Sequence, residues 1–370
     1  MRQSPTGREL SVDKTLLAIV VGLTLFGAVM VYSASAVMAQ KNYGSQFYFL
    51  IRQGGWAVIG LAAMALAMRV DYRLYNRRWI VFGALGVTFA LLVVVLFFPA
   101  INGSHRWITW RRVISIQPSE IAKLAVVAFL AFHLEKRWNQ PEDFKLTFLP
   151  AAGVVAGVIG LIVLEPDLGT ALVVGLVLMV MVFQAGVPLR HIASLAIPAV
   201  PVLTAMLLVP WRFERLLAFL DPWKYQMTVG YHPVQSMIAI GSGGISGVGF
   251  AEGKQKLFYL PASHTDFIFS VIGEELGLVG AATVIILFAV LAWRGLQAAR
   301  CAPDRFGQLA AIGITVMLTA QAFFNISVTL SLVPTKGIPL PFISSGGSSL
   351  AISLFAAGVL LNISKHRKAD

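Results

Sequence analysis

DFIFSVIGEELGLVGAATVIILFAVLAW, residues 266–293, decides the fold. After Asp266, only Glu274 and Glu275 are ionisable as far as Trp293. A spanning helix needs about 20 mostly apolar residues, and this run supplies them. Asp266 stands at its lip, at the close of a polar stretch over 210–265. A carboxylate there can meet water and lipid headgroups together. Ionisable groups at membrane depth are costly and mark functional sites by default. The plainer reading makes Asp266 a helix cap, a place favoured by Ser, Thr and Asp alike.

Working outward, similar apolar runs recur at 15–35, 47–68, 79–98, 117–133, 148–164, 168–184, 191–209, 307–333 and 342–363, which makes ten in all. The chain is 57% hydrophobic and 12% charged, against about 25% charged residues in soluble domains. These numbers exclude a soluble core and predict an all-α polytopic membrane protein of about ten transmembrane helices. We read residues 1–370 as a single transmembrane domain, with 210–265 as a large extracytoplasmic loop between the seventh and eighth spans. The lone Cys301 excludes an intramolecular disulfide.

Lys and Arg set the orientation. The N-terminus (Arg2, Arg8, Lys14), the alternate loops and the tail (Lys365, Arg367, Lys368) hold 17 of the 29 basic residues. Both termini are therefore expected in the cytoplasm. Eleven basic residues fall on the outer side, among them Arg106, Arg111, Arg112, Arg212, Arg215 and Lys336. One reading is attraction of an anionic substrate or headgroup; the other is ordinary headgroup contact by snorkelling side chains. Nucleic acid is not an expected partner.

Two glycine-rich stretches lie on that same side. Gly241-Ser242-Gly243-Gly244 opens the first and Ser344-Ser345-Gly346-Gly347 closes the second. Such density can bring backbone N–H groups close to an anion, or simply make a tight turn. In Gln117-Pro118-Ser119-Glu120-Ile121-Ala122-Lys123, Glu120 and Lys123 share a helix face and can pair. The alternative turns Lys123 toward a cavity to neutralise phosphate. In Glu165-Pro166-Asp167, Asp167 can cap the following helix, or the two acids can hold a divalent cation, Mg or Mn, or steady Lys123. Asp266, Asp167, Glu165, Glu120, Lys123, Arg106 and Lys336 all map to the outer third of the membrane or its rim. A transporter needs polar groups near the midplane, where only Glu274 and Glu275 come close. The distribution suggests chemistry on a lipid-linked substrate at the outer leaflet.

Gly103-Ser104-His105-Arg106-Trp107, Gln117 to Lys123, Glu165-Pro166-Asp167-Leu168-Gly169-Thr170, the 241–250 glycine loop, His264-Thr265-Asp266-Phe267-Ile268-Phe269 with Glu274-Glu275-Leu276-Gly277, and Pro339 to Ser348 together resemble the SEDS family (shape, elongation, division and sporulation). They occur in the family's order and cover nearly the whole chain. Val333-Pro334-Thr335-Lys336-Gly337 looks more like the division branch than the elongation branch. The family's usual aromatic before the paired glycines is Ser345 here. The resemblance implies ten spans in the bacterial inner membrane and peptidoglycan glycosyltransferase activity on lipid II and undecaprenyl-pyrophosphate-linked glycan. It also implies work beside a class B penicillin-binding transpeptidase and other division membrane proteins at the septum. On this reading Asp266 is the general base, and Arg106, Trp107, Lys123, Lys336, Gly241 and Gly243 bind substrate. Glu120, Glu165, Asp167, His264, Thr265 and Glu274 support them. The competing readings are a lipid II flippase running through Glu274 and Glu275, and an elongation-type polymerase.

Overall fold

The computed structural model describes residues 12–100, 103–110, 114–207 and 209–366. Arg2, Arg8, Arg111, Arg112, Arg367 and Lys368, counted above, lie outside the described residues. The helices are α1 (Lys14–Tyr43), α2 (Tyr48–Arg69), α3 (Arg78–Val95), α4 (Pro118–Lys136), α5 (Leu149–Leu164), α6 (Leu168–Gln184), α7 (Leu189–Ala193) and α8 (Ala196–Leu207). They continue with α9 (Pro210–Leu220), α10 (Tyr231–Gly243), α11 (Ile268–Cys301), α12 (Arg305–Thr329) and α13 (Ser348–Lys365). A short antiparallel hairpin, β1 (Ile108–Trp110) and β2 (Ile114–Ile116), sets Thr109 opposite Ser115.

Among the described residues seven helices are long and apolar enough to cross a membrane: α1, α2, α3, α5 with its preceding turn, α11, α12 and α13. The other three expected spans appear in altered form. α4 is 19 residues long but carries Glu120, Lys123, Glu135 and Lys136. α6 is an apolar helix of 17 residues. The run at 191–209 is divided between α7 and α8, with Pro201 inside the latter, and proline removes a helix hydrogen bond. The 210–265 stretch, expected as loop, contains α9 and α10. The chain is a multi-pass membrane protein.

α12 is the central helix, packed on α4, α6 and α11, while α13 runs along α2. Outward faces carry large apolar side chains, such as Ile51, Val58, Ile59 and Leu66 on α2. Lipid gives little hydrophobic drive between helices, so small residues that allow close approach decide the contacts. A side-chain carbon at Gly358 would lie 2.6 Å from the Met64 carbonyl oxygen, so α13 meets α2 only because nothing is there. Gly358→Val should cost about 1–3 kcal/mol by overpacking. Gly22→Ala, with open space around it, should cost nothing. Thermal unfolding of the two purified variants in one detergent distinguishes them, and equal midpoints would remove the packing argument.

α11, expected as one continuous helix, is broken at Gly277, where φ is 63° and ψ is −161°. The 243–249 segment docks its backbone into the break. Val248 N–H donates to the Glu274 carbonyl at 3.0 Å and Gly249 N–H to that of Glu275 at 3.1 Å. On the other side Leu278 N–H donates to the Gly244 carbonyl at 2.9 Å and Val279 N–H to that of Ile245 at 3.2 Å. A side chain at Gly277 would collide with the Gly247 nitrogen, and the positive φ also favours glycine.

Candidate functional site

At one end of the bundle four segments converge: the hairpin with the start of α4, the α5–α6 turn, the entry to α11, and the 334–347 segment before α13. Their mutual hydrogen bonds fix them. The Arg106 guanidinium donates to the main-chain carbonyls of Glu165, at 3.1 Å, and Pro166. Asp167 caps α6 through Thr170 N–H at 3.1 Å, and its carboxylate also accepts from Thr170 Oγ1 (2.8 Å), Gln117 Nε2 (3.0 Å) and Ser119 Oγ (3.3 Å). The capping reading of Asp167 holds, with extra donors from α4.

Glu120 and Lys123 pair at 2.8 Å, both buried. Ser349 Oγ donates to the second Glu120 oxygen at 3.0 Å, and the Lys123 ammonium also donates to Gln321. Lys123 therefore has its charge matched inside the bundle rather than presented to a cavity.

Asp266 and Lys336 are different. Asp266 is half-buried, and its carboxylate makes no hydrogen bond or ion pair with any described residue. Lys336 is also half-buried and similarly unpaired among the described residues. Gly337 lies against the acid, since a side-chain carbon there would sit 2.9 Å from Asp266 Oδ2. Burial pushes the Asp266 carboxyl up to about 6, while Arg106 pulls it down and Asp167 pushes it up. Burial also lowers the Lys336 ammonium, against the pull of Asp167 and with the push of Arg212. Leaving ionisable groups partly desolvated and unpaired is costly, and such groups cluster at functional sites.

The frame around Asp266 is rigid. Asn325 Nδ2 donates to the main-chain carbonyls of Asp266 (2.8 Å) and Ile338 (2.7 Å), clipping the two segments together. Ser344 Oγ donates to the Thr265 carbonyl at 2.7 Å, and Ser345 N–H to that of His264 at 2.9 Å. The His264 ring packs on Phe49 at 4.5 Å, and burial lowers it to about 4, so it is neutral at pH 7. Asn325→Leu strands two carbonyls, each costing about 1–3 kcal/mol when unsatisfied. We expect a matching drop in stability and a larger loss of turnover than of substrate affinity. Unchanged turnover would remove Asn325 from the positioning frame.

Glu165 is fully buried, and neither carboxyl oxygen has a hydrogen-bond partner among the described residues. Burial first, then the Asp167 charge, raise it to about 8 against the pull of Arg106, so it holds a proton at pH 7. Trp107, half-buried, leads into β1. Gly241 has open space on its side-chain side, whereas Gly243 is pressed so closely against the Gly273 carbonyl oxygen that no side chain could start there. The glycine stretch thus gives its backbone to α11. Glu274 accepts from the Lys254 and Gln255 N–H groups at 2.7 and 3.2 Å. Glu275 pairs with Lys256 at 2.6 Å and accepts from Ser33 Oγ and Ala251 N–H. These two acids hold the outer stretch in place.

Among the described residues no group of three or more His, Cys, Asp or Glu is placed to hold a metal ion. The Asp167 oxygens are taken by Gln117, Ser119 and Thr170. Among the described residues the donor set does not fit the expected divalent cation, Mg or Mn, which takes several free oxygen ligands.

Gln321 and Asn325 were not singled out from the sequence. Two amides four residues apart in an otherwise apolar span were the available signal, because they share one helix face. Arg212 and Arg215 were noted only as outer charges, yet their fields reach Lys336, Arg106 and His232.

Comparisons with known proteins identify the family of the chain. A family model described as "Cell cycle protein", for FtsW, RodA and SpoVE, matches residues 14–369. The chain is 44% identical over 96% of its length, and 96% of the relative's, to "Probable peptidoglycan glycosyltransferase FtsW" of Geobacter sulfurreducens. It is 41% identical to "Stage V sporulation protein E" of Bacillus subtilis over 98% of this chain and all of that one. Among solved structures, a chain from a study of polymerization and crosslinking by a peptidoglycan synthase complex superposes with a TM-score of 0.79 at 31% identity, covering 98% of this chain and all of that one. The rod shape determining protein RodA of Thermus thermophilus gives 0.70 at 28% identity, covering 98% of this chain and 99% of that one. With a family model spanning nearly the whole chain and full-length relatives above 40% identity, the protein belongs to the FtsW/RodA/SpoVE family.

Proposed function

We propose that this protein is a peptidoglycan glycosyltransferase that polymerises lipid II into glycan strands at the outer face of the bacterial cytoplasmic membrane, in cell division. The observation that carries the reading is the Asp266 carboxylate, unpaired among the described residues, on a segment that Asn325 and Ser344 clip in place through the main-chain carbonyls of Asp266 and Thr265. Gly337 lies against it, and the neighbouring Lys336 is likewise unpaired among the described residues. A base and a cation without partners among the described residues, at one end of a membrane bundle, suit a substrate that brings both a proton and a negative charge.

Asp266 accepts the proton of the acceptor sugar's 4-hydroxyl as that oxygen attacks the anomeric carbon of the lipid-linked glycan. The new glycosidic bond forms with inversion, and the bond to undecaprenyl pyrophosphate breaks. A general base must lie within hydrogen-bond reach of the proton it takes, and an acid with no partner of its own is free to do so. Lys336 and Arg106 stabilise charge developing on the leaving diphosphate. Asp167, Glu120 and Lys123 act behind them by fixing the α4–α6 corner. Because the leaving group is already good, the usual glycosidase pair of carboxylates is not needed.

The chain works as one membrane-embedded unit, with 210–265 as its outer loop and both termini in the cytoplasm. Its partner is a class B penicillin-binding transpeptidase at the division septum. The names of the relatives support the division role, and one structural neighbour comes from a peptidoglycan synthase complex in which polymerization is coordinated with crosslinking. A translocation path through Glu274 and Glu275 is less well supported, because both carboxylates are bonded to the 251–256 segment.

The purified chain, joined to its transpeptidase and given labelled lipid II, should yield a ladder of glycan strands on a gel. Absence of strands from a folded, partner-bound complex would overturn the reading.

A further inference from the structure

Three consecutive main-chain carbonyls before α11 are each held from another segment. His264 accepts from Ser345 N–H at 2.9 Å, Thr265 from Ser344 Oγ at 2.7 Å and Asp266 from Asn325 Nδ2 at 2.8 Å. One residue earlier, Ser263 Oγ donates to the Ala34 carbonyl of α1 at 3.1 Å. Anchoring of this kind fixes where the attached side chains can reach. It holds His264 as firmly as Asp266.

The His264 ring packs on Phe49 at 4.5 Å, and Phe49 is braced by edge contacts with Tyr43 at 5.6 Å and Tyr48 at 5.2 Å. Neither ring nitrogen hydrogen-bonds to a described residue. Nδ1 is buried, whereas Nε2 is not sealed off, and the residue is partly exposed. An orphaned buried N–H is rarer than an unsatisfied acceptor. The single proton of the neutral ring therefore belongs on Nε2, where a ligand can accept from it. The hydroxyl of Thr265, between His264 and Asp266, is turned back on the Ala262 carbonyl at 3.2 Å. His264 is thus the side chain beside Asp266 with a donor to offer.

Its charge state matters too. Burial keeps the ring uncharged at pH 7. An imidazolium two residues from Asp266 would attract the carboxylate and tie it up as an ion pair. A neutral ring leaves the base free and still presents an N–H.

We infer that His264 is a substrate-binding residue whose Nε2–H donates to an oxygen of the acceptor sugar beside the attacking hydroxyl, while Asp266 takes the proton of that hydroxyl. The inference rests on the function proposed above and adds a second contact to the acceptor. His264 neither gains nor loses a proton in the reaction.

The test uses the full chain with its transpeptidase and compares His264→Gln, His264→Asn and His264→Phe. The glutamine amide nitrogen can take the place of Nε2, the asparagine nitrogen takes that of Nδ1, and phenylalanine keeps the packing on Phe49 without any donor. We expect Phe and Asn to lower kcat/KM for lipid II polymerisation about tenfold, mainly through KM, with Gln within about threefold of wild type. A purely structural ring would give the opposite order, with Phe best. Thermal unfolding confirms that each variant is folded. Binding of a short-prenyl lipid II is read by microscale thermophoresis on the same three changes in an Asp266→Asn background, where turnover does not interfere. The same order in binding, without strands from wild type, upholds the contact and removes the polymerase reading. Strands from wild type with Gln no better than Phe in rate and in binding remove the contact alone. Neither strands nor ordered binding removes both.

Discussion

Asp266→Asn is expected to abolish strand formation, with the rate of lipid II polymerisation falling by about 10²–10⁴-fold, the usual contribution of a positioned general base. The amide keeps the size of the side chain but cannot take the acceptor's proton. Its main-chain carbonyl still meets Asn325, so the segment stays clipped. The carboxylate has no partner among the described residues to lose, and the variant should melt no lower than wild type. Strands of equal length and yield from a folded variant would remove Asp266 from the chemistry.

The same carboxyl sets a pH limb. Its affinity for a proton is raised by burial to about 6, and the base works only when deprotonated. The single-turnover rate should therefore be flat above about pH 7 and fall roughly tenfold per unit below about 6. A raised carboxyl is relieved, not strained, by protonation. The acid limb of activity should thus appear without loss of fold, and a thermal melt at about pH 5.5, within that limb, checks it. A rate that stays flat to about pH 4.5 would mean that no carboxyl in this range is the base.

Lys256→Met should be the most destabilising single change outside the site. Lys256 and Glu275 pair at 2.6 Å with almost no exposure, and Ser33 of α1 hydrogen-bonds to both. Removing one partner of a buried pair leaves the other charge uncompensated and costs about 3–5 kcal/mol. Replacing both with apolar residues of similar volume, Lys256→Met with Glu275→Leu, should recover much of that loss, because the stranded charge is gone. The Ala251 N–H then loses its acceptor, so recovery stays incomplete by about 1–3 kcal/mol. Thermal unfolding of the two singles and the double closes the cycle. A double variant as unstable as the sum of the singles would mean that the two side chains act independently.

The sequence was most legible where the physics is local. Each apolar run reports its own span, and Pro118 and Asp167 mark helix starts within one turn. The motif residues Arg106, Asp167, Lys336 and Asp266 do meet at one end of the bundle. What escaped the sequence depends on partners far along the chain. The run 266–293 puts Asp266 and Glu274 in one span, yet Glu274 turns its carboxylate to the N–H groups of Lys254 and Gln255. Lys123 was allowed two fates, and the choice was made by Gln321, far along the chain on α12. The break at Gly277 was invisible because a lone glycine inside an apolar run is compatible with an unbroken helix; only the docked 243–249 backbone makes the break necessary.

That docking makes two stretches of chain incomplete without each other. A helix interrupted inside a bilayer exposes N–H and C=O groups that lipid cannot satisfy. Here Gly244, Ile245, Val248 and Gly249 supply the missing partners to residues 274–279. The exchange is mutual, since the same bonds give the glycine-rich segment an order it could not hold in water. The outer stretch is therefore no appended module that could be trimmed or transplanted. Cutting it away would leave a membrane helix with an open wound, and the excised piece would lose the only template that shapes its glycines.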